Sequence, residues 1–376
     1  VKILSAPNAF KGALDSFDAA QVIKEGLEKS KLNAEITLFP IADGGDGTMQ
    51  VLVKYFDGEF VSCGVSDPVG RPVEADFGLI DIGRTAVIEL ASASGIRHLS
   101  AAELNPMLAS SYGTGLLIKE ALGHNVNHII ITLGGSATVD AGIGILSALG
   151  LKINDLDAPA LGGQVLRQIK SVDTSLLNDE VRDVRFTLLC DVDNYLLGDK
   201  GAAAVFGPQK GATQSMVKEL ESGLSHFAEI TKQEIGIDVT ELKHGGAAGG
   251  CGAFLSAYLN AEIVDGSEYL FDKMQLDRHL QTADLVITAE GRIDEQTRHG
   301  KGPYALANRA LASGVPTIAL SGQIAPELDI SDYPAFNSII PIGNGPMPLD
   351  DAMHLTAKNL GRTATQIGQL LSLKDA

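Results

Sequence analysis

The chain has 376 residues, 47 acidic against 29 basic, with three cysteines and no tryptophan. At roughly 150 residues per domain it holds two or three domains, and its 45% hydrophobic and 20% charged content supplies enough apolar surface for ordered cores, which excludes intrinsic disorder. The formal charge of −18 repels polyanions, because nucleic-acid affinity rests on phosphates neutralised by clustered Lys and Arg, so no nucleic-acid partner is expected.

The opening segment reads strand, loop, helix, strand, loop, helix: VKILSAP, NAFKGALDS, FDAAQVIKEGLEKS, EITLFPI, ADGGDG and TMQVLVKYF. Ala20, Ile23 and Leu27 recur at helical spacing, Ile36 and Leu38 alternate as in a strand, and a βαβα series predicts a parallel sheet. After Cys63 the turn cluster VSDPVGRP leads into PVEADFGLI and TAVIELA, an antiparallel hairpin joined by DIGR. The elements that follow are a helix from Ser110 to Gly123, the buried strand HIIITLGG, a glycine-rich helix, the strand RFTLLCDV and a long helix carrying Met216, Leu220, Leu224 and Phe227. Near Asp284 the βα pattern resumes with ADLVITAEG, a helix from Pro303 to Ala312, PTIALSG, NSIIPIG and a last helix from Asp350.

The expected fold is therefore α/β with two α/β domains. A Rossmann-like parallel-sheet domain is built from residues 1–72 plus 284–376, and a mixed α/β domain, 73–283, is inserted in it. Cys63, Cys190 and Cys251 are odd in number and far apart, with no C-x-x-C pair, and the reducing cytoplasm suits them. Lys11 interrupts the first apolar run and no segment offers about 18 clean apolar residues. Neither a signal peptide nor a membrane span is expected.

In open parallel sheets, ligands bind beyond the carboxyl ends of the strands. The loops there are NAFKG with Lys11, ADGGDGT with Asp43 and Asp46, GGSATVDAG with Ser136, Thr138 and Asp140, CDVDN with Asp191 and Asp193, and AEGRIDEQTRHGK. Small backbone, carboxylate, hydroxyl and isolated cation together suit a phosphorylated ligand with Mg²⁺: glycine lets N–H groups reach phosphate oxygens, and carboxylates hold a hydrated cation. Acidic and glycine residues are also ordinary turn and cap chemistry, and Asp15 is read only as a helix cap.

Other motifs lack their context. DFG at Asp76 to Gly78 has no H-R-D or V-A-I-K partner, which rejects a protein kinase. No G-x-x-x-x-G-K-[ST], G-x-G-x-x-G or G-x-S-x-G is present. His124 and His128 lead into a strand without the glutamate of a zinc helix. GGAAGGCGAF from Gly245 is read as opening a tightly packed helix, with a phosphate site at its N-terminus as the alternative.

Together, NAFKG, ADGGDGT, SSYGTG, GGSATVDAG, CDVDN, GAAAVFGPQKGA, GGAAGGCGA and AEGRIDEQTRHGK, in this order and across nearly the whole chain, resemble the bacterial glycerate kinases that lack a P-loop. The sequence departs from that pattern at Asn8, where aspartate is common, at Asp46, where glutamate is common, and at Ala289, where glycine is common. The resemblance implies ATP and D-glycerate meeting in a cleft between two α/β domains, with Mg²⁺, and favours 2-phosphoglycerate over 3-phosphoglycerate as product. Residue chemistry makes Asp191 or Asp294 the base, and the other, or Glu290, the metal ligand. Gly134, Gly135, Ser136 and Thr138 would cradle phosphate. Lys11, Arg71, Arg292 and Lys301 are the candidates for the glycerate carboxylate and the phosphates. The alternatives are a kinase for another small hydroxy acid and a non-catalytic two-domain organic-acid sensor. No partner is expected beyond the small molecules and, as a homo-oligomer, a second copy of the chain.

Overall fold

The computed structural model describes residues 1–153, 162–177, 179–298 and 302–373. It divides into two units, Val1–Asp43 with Gly266–Ala376, and Gly44–Asp265. The strands in chain order are β1 (Lys2–Ser5), β2 (Glu35–Leu38), β3 (Glu59–Ser66), β4 (Pro72–Ile80), β5 (Thr85–Glu89), β6 (His128–Thr132) and β7 (Lys152–Ile153). They continue with β8 (Val172–Asp173), β9 (Arg185–Cys190), β10 (Glu262–Asp265), β11 (Leu285–Ile293), β12 (Thr317–Ile324) and β13 (Ser338–Pro341).

The first unit carries a five-stranded sheet in the order β13-β12-β11-β1-β2, with every pair parallel. Ile3 and Leu4 are 1% exposed, as a central parallel strand buried on both faces requires. The helix Ser16–Glu28 begins where the Asp15 side chain accepts from Asp18 N at 2.8 Å, the cap the sequence suggests. It buries Ala19, Ile23 and Leu27 in a cluster with Leu285, Ile287, Leu360, Ala364 and Ile367. That joins the two ends of the chain, because the helix packs along Thr356–Ser372. A Cβ added at Gly26 would stand 2.5 Å from Gly361 O, so glycine sets how closely the two helices approach.

The second unit carries a six-stranded sheet ordered β10-β9-β6-β5-β4-β3. Its pairs from β10 to β5 are parallel, and β4 is antiparallel to both β5 and β3. Ile129, Ile131, Phe186 and Leu188 from its central strands share a core with Leu117, Leu146, Leu224 and Phe254. The Phe227 and Phe254 rings stack at 4.5 Å. A small antiparallel pair, β7 with β8, stands apart from it. Among the described residues no helix is long and apolar enough to cross a membrane.

Two segments sit in a different unit from the one their sequence suggests. Residues 44–72 join the second unit because β3 runs antiparallel to β4 from Glu59↔Leu79 to Ser66↔Pro72. The helix Thr48–Tyr55 also packs on β4 and β5, with Met49 N bonded to Glu89 Oε1 at 3.0 Å. Residues 266–283 join the first unit because Arg309, on the helix Gly302–Ala312, ion-pairs with Asp272 at 2.7 Å and Asp277 at 3.5 Å. Arg309 also bonds Glu268 and lies over the Phe271 ring at 5.8 Å.

Candidate active site

In the first unit the strand order reverses between β1 and β11: β2 lies to one side, β12 and β13 to the other. Crevices at such switch points are where open α/β sheets take ligands. A cavity of about 400 Å³ lies there, lined by residues at or beyond the carboxyl ends of all five strands. Lys11 comes from the loop after β1, Asp43 from the loop after β2, and Glu290 and Arg292 from the end of β11, with Asp294 just beyond. Lys11, Asp43, Glu290, Arg292 and Asp294, all named from the sequence, thus share one cavity. Asp43 is buried and accepts from Asn8 Nδ2 at 3.4 Å. Asp294 pairs with Arg292 at 3.2 Å. Its backbone is fixed on both sides, N–H donating to Thr297 Oγ1 at 3.3 Å and C=O accepting from Tyr333 Oη at 2.9 Å.

In the second unit the parallel strands β5, β6 and β9 end together, presenting Glu89, the Gly134–Ser136 turn and Asp191 along one edge. The turn is fastened to the neighbouring segment by Ile96 N donating to Gly135 O and Ala137 N to Ser94 O, both at 2.9 Å. Its glycines are dictated by the ADGGDGT loop beside it. A Cβ at Gly134 would lie 2.8 Å from Gly45 Cα, and Gly135, at φ 70°, would bring one within 2.9 Å of Asp46 Oδ1. Ser136 is 7% exposed, whereas Thr138 is fully buried. The Thr138 hydroxyl has no hydrogen-bond partner among the described residues, so only its carbonyl does visible work.

That carbonyl accepts from Lys210 Nζ at 2.7 Å, and Ser136 Oγ accepts from the same nitrogen at 2.7 Å. The sequence does not single out Lys210, although it stands inside the GAAAVFGPQKGA motif. Its signal is a lone lysine bounded by glycine and proline turns. Burial lowers the Lys210 ammonium to about 8. An unfolded lysine keeps its proton to about pH 10.4. Stability should therefore rise with pH between about 8 and 10.4, by up to roughly 3 kcal/mol, and show no such slope below 8, where both states hold the proton. The neutral amine retains enough N–H groups for both bonds. Urea unfolding across this range should show the rise in the wild type and not in Lys210→Met; parallel curves for the two would remove the buried titration.

Two further supports lie beneath the turn. Asp140, fully buried, accepts from Ser111 N and Oγ at 2.8 Å each and from Gly142 N at 3.1 Å; burial pushes its carboxyl upward against these donors. The GGAAGGCGAF segment passes below, with Ala141 N bonded to Gly249 O at 3.1 Å, and opens the helix Cys251–Leu259. Glu89, also unremarked in the sequence, is buried where a charged residue closes an otherwise apolar strand, and burial raises its carboxyl.

The remaining candidates are dispersed. Arg71 lies in the second unit with every nitrogen engaged: Nε to Asp67 at 2.6 Å, and the others to Glu103 at 2.7 Å and His98 O at 3.0 Å. Asp191 is exposed, and Asp193, two residues on, pairs with Lys243 at 3.0 Å. Lys301 lies outside the described residues. The His128 ring is occupied by Thr187 Oγ1 at 2.9 Å and Arg185 at 3.0 Å.

Comparison with known proteins agrees with the loop pattern. Residues 3–372 match the Glycerate kinase family. The chain is 40% identical over 375 residues to the glycerate kinase of Bacillus subtilis (strain 168), covering 99% of this chain and 98% of that one. It is 36% identical over 375 residues to the glycerate 2-kinase of Escherichia coli (strain K12), again covering 99% and 98%. A crystal structure from Salmonella typhimurium LT2, a candidate glycerate kinase 2, aligns with a TM-score of 0.88 at 37% identity, covering 100% of this chain and 99% of that one. The chain belongs to the glycerate kinase family and is a kinase of α/β fold.

Proposed function

We propose that the protein transfers the γ-phosphoryl group of ATP to the 2-hydroxyl of D-glycerate, with Mg²⁺, in the cytoplasm. The observation that carries this is the switch-point cavity, where two cations, Lys11 and Arg292, stand among the carboxylates Asp43, Glu290 and Asp294. Phosphoryl transfer is mostly positioning and charge neutralisation, and needs that mixture. The 36% identity to a glycerate 2-kinase supports the 2-position.

Among the described residues no three His, Cys, Asp or Glu side chains are grouped to hold a metal unaided. Mg²⁺ is usually held by one or two carboxylates with substrate phosphates and water completing the shell. Glu290 and Asp294, two hard oxygen donors in one cavity, fit that requirement. Bound there, Mg²⁺ neutralises phosphate oxygens. Lys11 and Arg292 attract and orient the anionic substrates. Gly134 and Gly135 offer backbone N–H groups and Ser136 a hydroxyl to phosphate oxygens, with Lys210 fixing the turn from below. Asp191, exposed at its strand end, takes the proton of the glycerate hydroxyl. Arg71, with all its nitrogens bonded, holds the segment around Asp67 and Glu103 instead of substrate.

A coupled assay should show ADP release that depends on D-glycerate. ADP release that is the same with and without the acid would defeat the proposal, and faster release with another small hydroxy acid would move it to that substrate.

A further inference from the structure

The cavity of the first unit has two kinds of lining. Lys11, Glu290, Arg292 and Asp294 supply charge, while Phe10, Ile342, Leu349, Ala352 and Met353 supply apolar surface. A three-carbon hydroxy acid has no apolar surface to place against the latter. The cavity volume of about 400 Å³ lies instead in the range of pockets for larger organic ligands, roughly 300–1,000 Å³.

Asn359 also lines this cavity, although it is only 2% exposed. Arg362 NH1 donates to Asn359 Oδ1 at 3.2 Å, while Arg362 NH2 donates to Ile342 O at 2.6 Å. A guanidinium can only donate, so this contact fixes the amide with its oxygen toward Arg362. The Asn359 Nδ2 group is then the end left for a ligand, and among the described residues it has no partner. The site thus combines a fixed hydrogen-bond donor, apolar surface and cations, which together match a heterocyclic base joined to phosphates.

We infer that the apolar lining of this cavity, with Asn359, is a purine-base subsite. The adenine of ATP lies against the apolar lining, a ring nitrogen accepts from Asn359 Nδ2, and the phosphates extend toward Lys11 and Arg292. The inference rests on the kinase reading above and adds which residue reads the nucleotide base. Arg362 is a positioning residue that holds the amide in its reading orientation.

The test pairs steady-state kinetics, varying ATP and D-glycerate separately, with calorimetric titration of ADP. Asn359→Leu keeps the size and removes the donor; KM for ATP and Kd for ADP should rise roughly 5- to 30-fold, with KM for glycerate within about twofold. Ala352→Phe should fill the apolar side of the cavity and raise the same two constants without touching Arg362, so it decides the matter if Asn359→Leu fails to fold. Unchanged ATP and ADP constants in both variants, or a rise in KM for glycerate instead, would overturn the subsite. If the wild type lacks glycerate-dependent turnover, the kinase reading fails separately, and ADP titration still reports whether the subsite exists.

Discussion

Asp191→Asn should lower kcat by roughly 10²- to 10⁴-fold while leaving folding and the Mg²⁺ requirement near those of the wild type. An amide nearly matches a carboxylate in size but cannot take the substrate proton, and positioned general catalysis is worth about that factor. The exposed position of Asp191 at the end of β9 means that no buried network is broken. Asp294→Asn should behave differently. Its backbone bonds to Thr297 and Tyr333 survive, but the Arg292 ion pair and a hard oxygen ligand are weakened, so turnover should fall and recover in part as Mg²⁺ is raised. Titrating Mg²⁺ against both variants separates the two roles. Rescue of Asp191→Asn by Mg²⁺, with none for Asp294→Asn, would reverse the assignments. Near-normal kcat in both would shift attention to Asp43 and Asp46.

The largest effect on stability is expected from Asp140→Ala. Its carboxylate satisfies Ser111 N, Ser111 Oγ and Gly142 N in a fully buried position, and Ser111 Oγ in turn accepts from Ile145 N at 3.2 Å. Deleting the acceptor leaves several buried donors unpaired at once, a loss of about 3–5 kcal/mol. For a unit of this size that lowers the melting temperature by roughly 10 °C. The Gly134–Ser136 turn should loosen with it, because Asp140 anchors the chain just after the turn. Scanning calorimetry of the variant measures this; a transition within about 1 °C of the wild type would show that the network contributes little.

Much of this architecture is legible in the sequence, because period-2 and period-3.6 patterns dominate the elements that build the sheets. β1, β6 and β11 read as apolar runs since parallel strands are buried on both faces. Asp15 reads as a cap because its spacing to the first helical turn leaves it little else to do. The segment 59–66 is harder to place: EFVSCGVS is half polar, its burial alternates weakly, and only its pairing with β4 makes it a strand of the second sheet. Residues 266–283 lack any composition break at Gly266, and their allegiance depends on Arg309, distant in sequence.

The site divides in the same way. Lys11, Glu290, Arg292 and Asp294 are legible because they follow strands, and strand ends converge. Lys210 and Asn359 are not. Each lies on an element whose local pattern is ordinary: Lys210 matters through Ser136 and Thr138, far away in the chain, and Asn359 through Arg362, which in turn reaches Ile342 O just after β13. Thr138 shows the converse. A hydroxyl in a glycine-rich loop suggests phosphate binding, yet the turn folds it inward and uses its carbonyl.

The most direct test of the account is phosphorus NMR of a mixture of the enzyme, ATP, Mg²⁺ and D-glycerate. A phosphate on the 2-oxygen couples to a single carbinol proton and gives a doublet, whereas one on the 3-oxygen couples to two protons and gives a triplet. The account predicts a new phosphomonoester doublet growing as the ATP γ signal is replaced by ADP. A triplet would contradict the assigned hydroxyl, and inorganic phosphate alone, or unchanged ATP, would contradict the transfer itself.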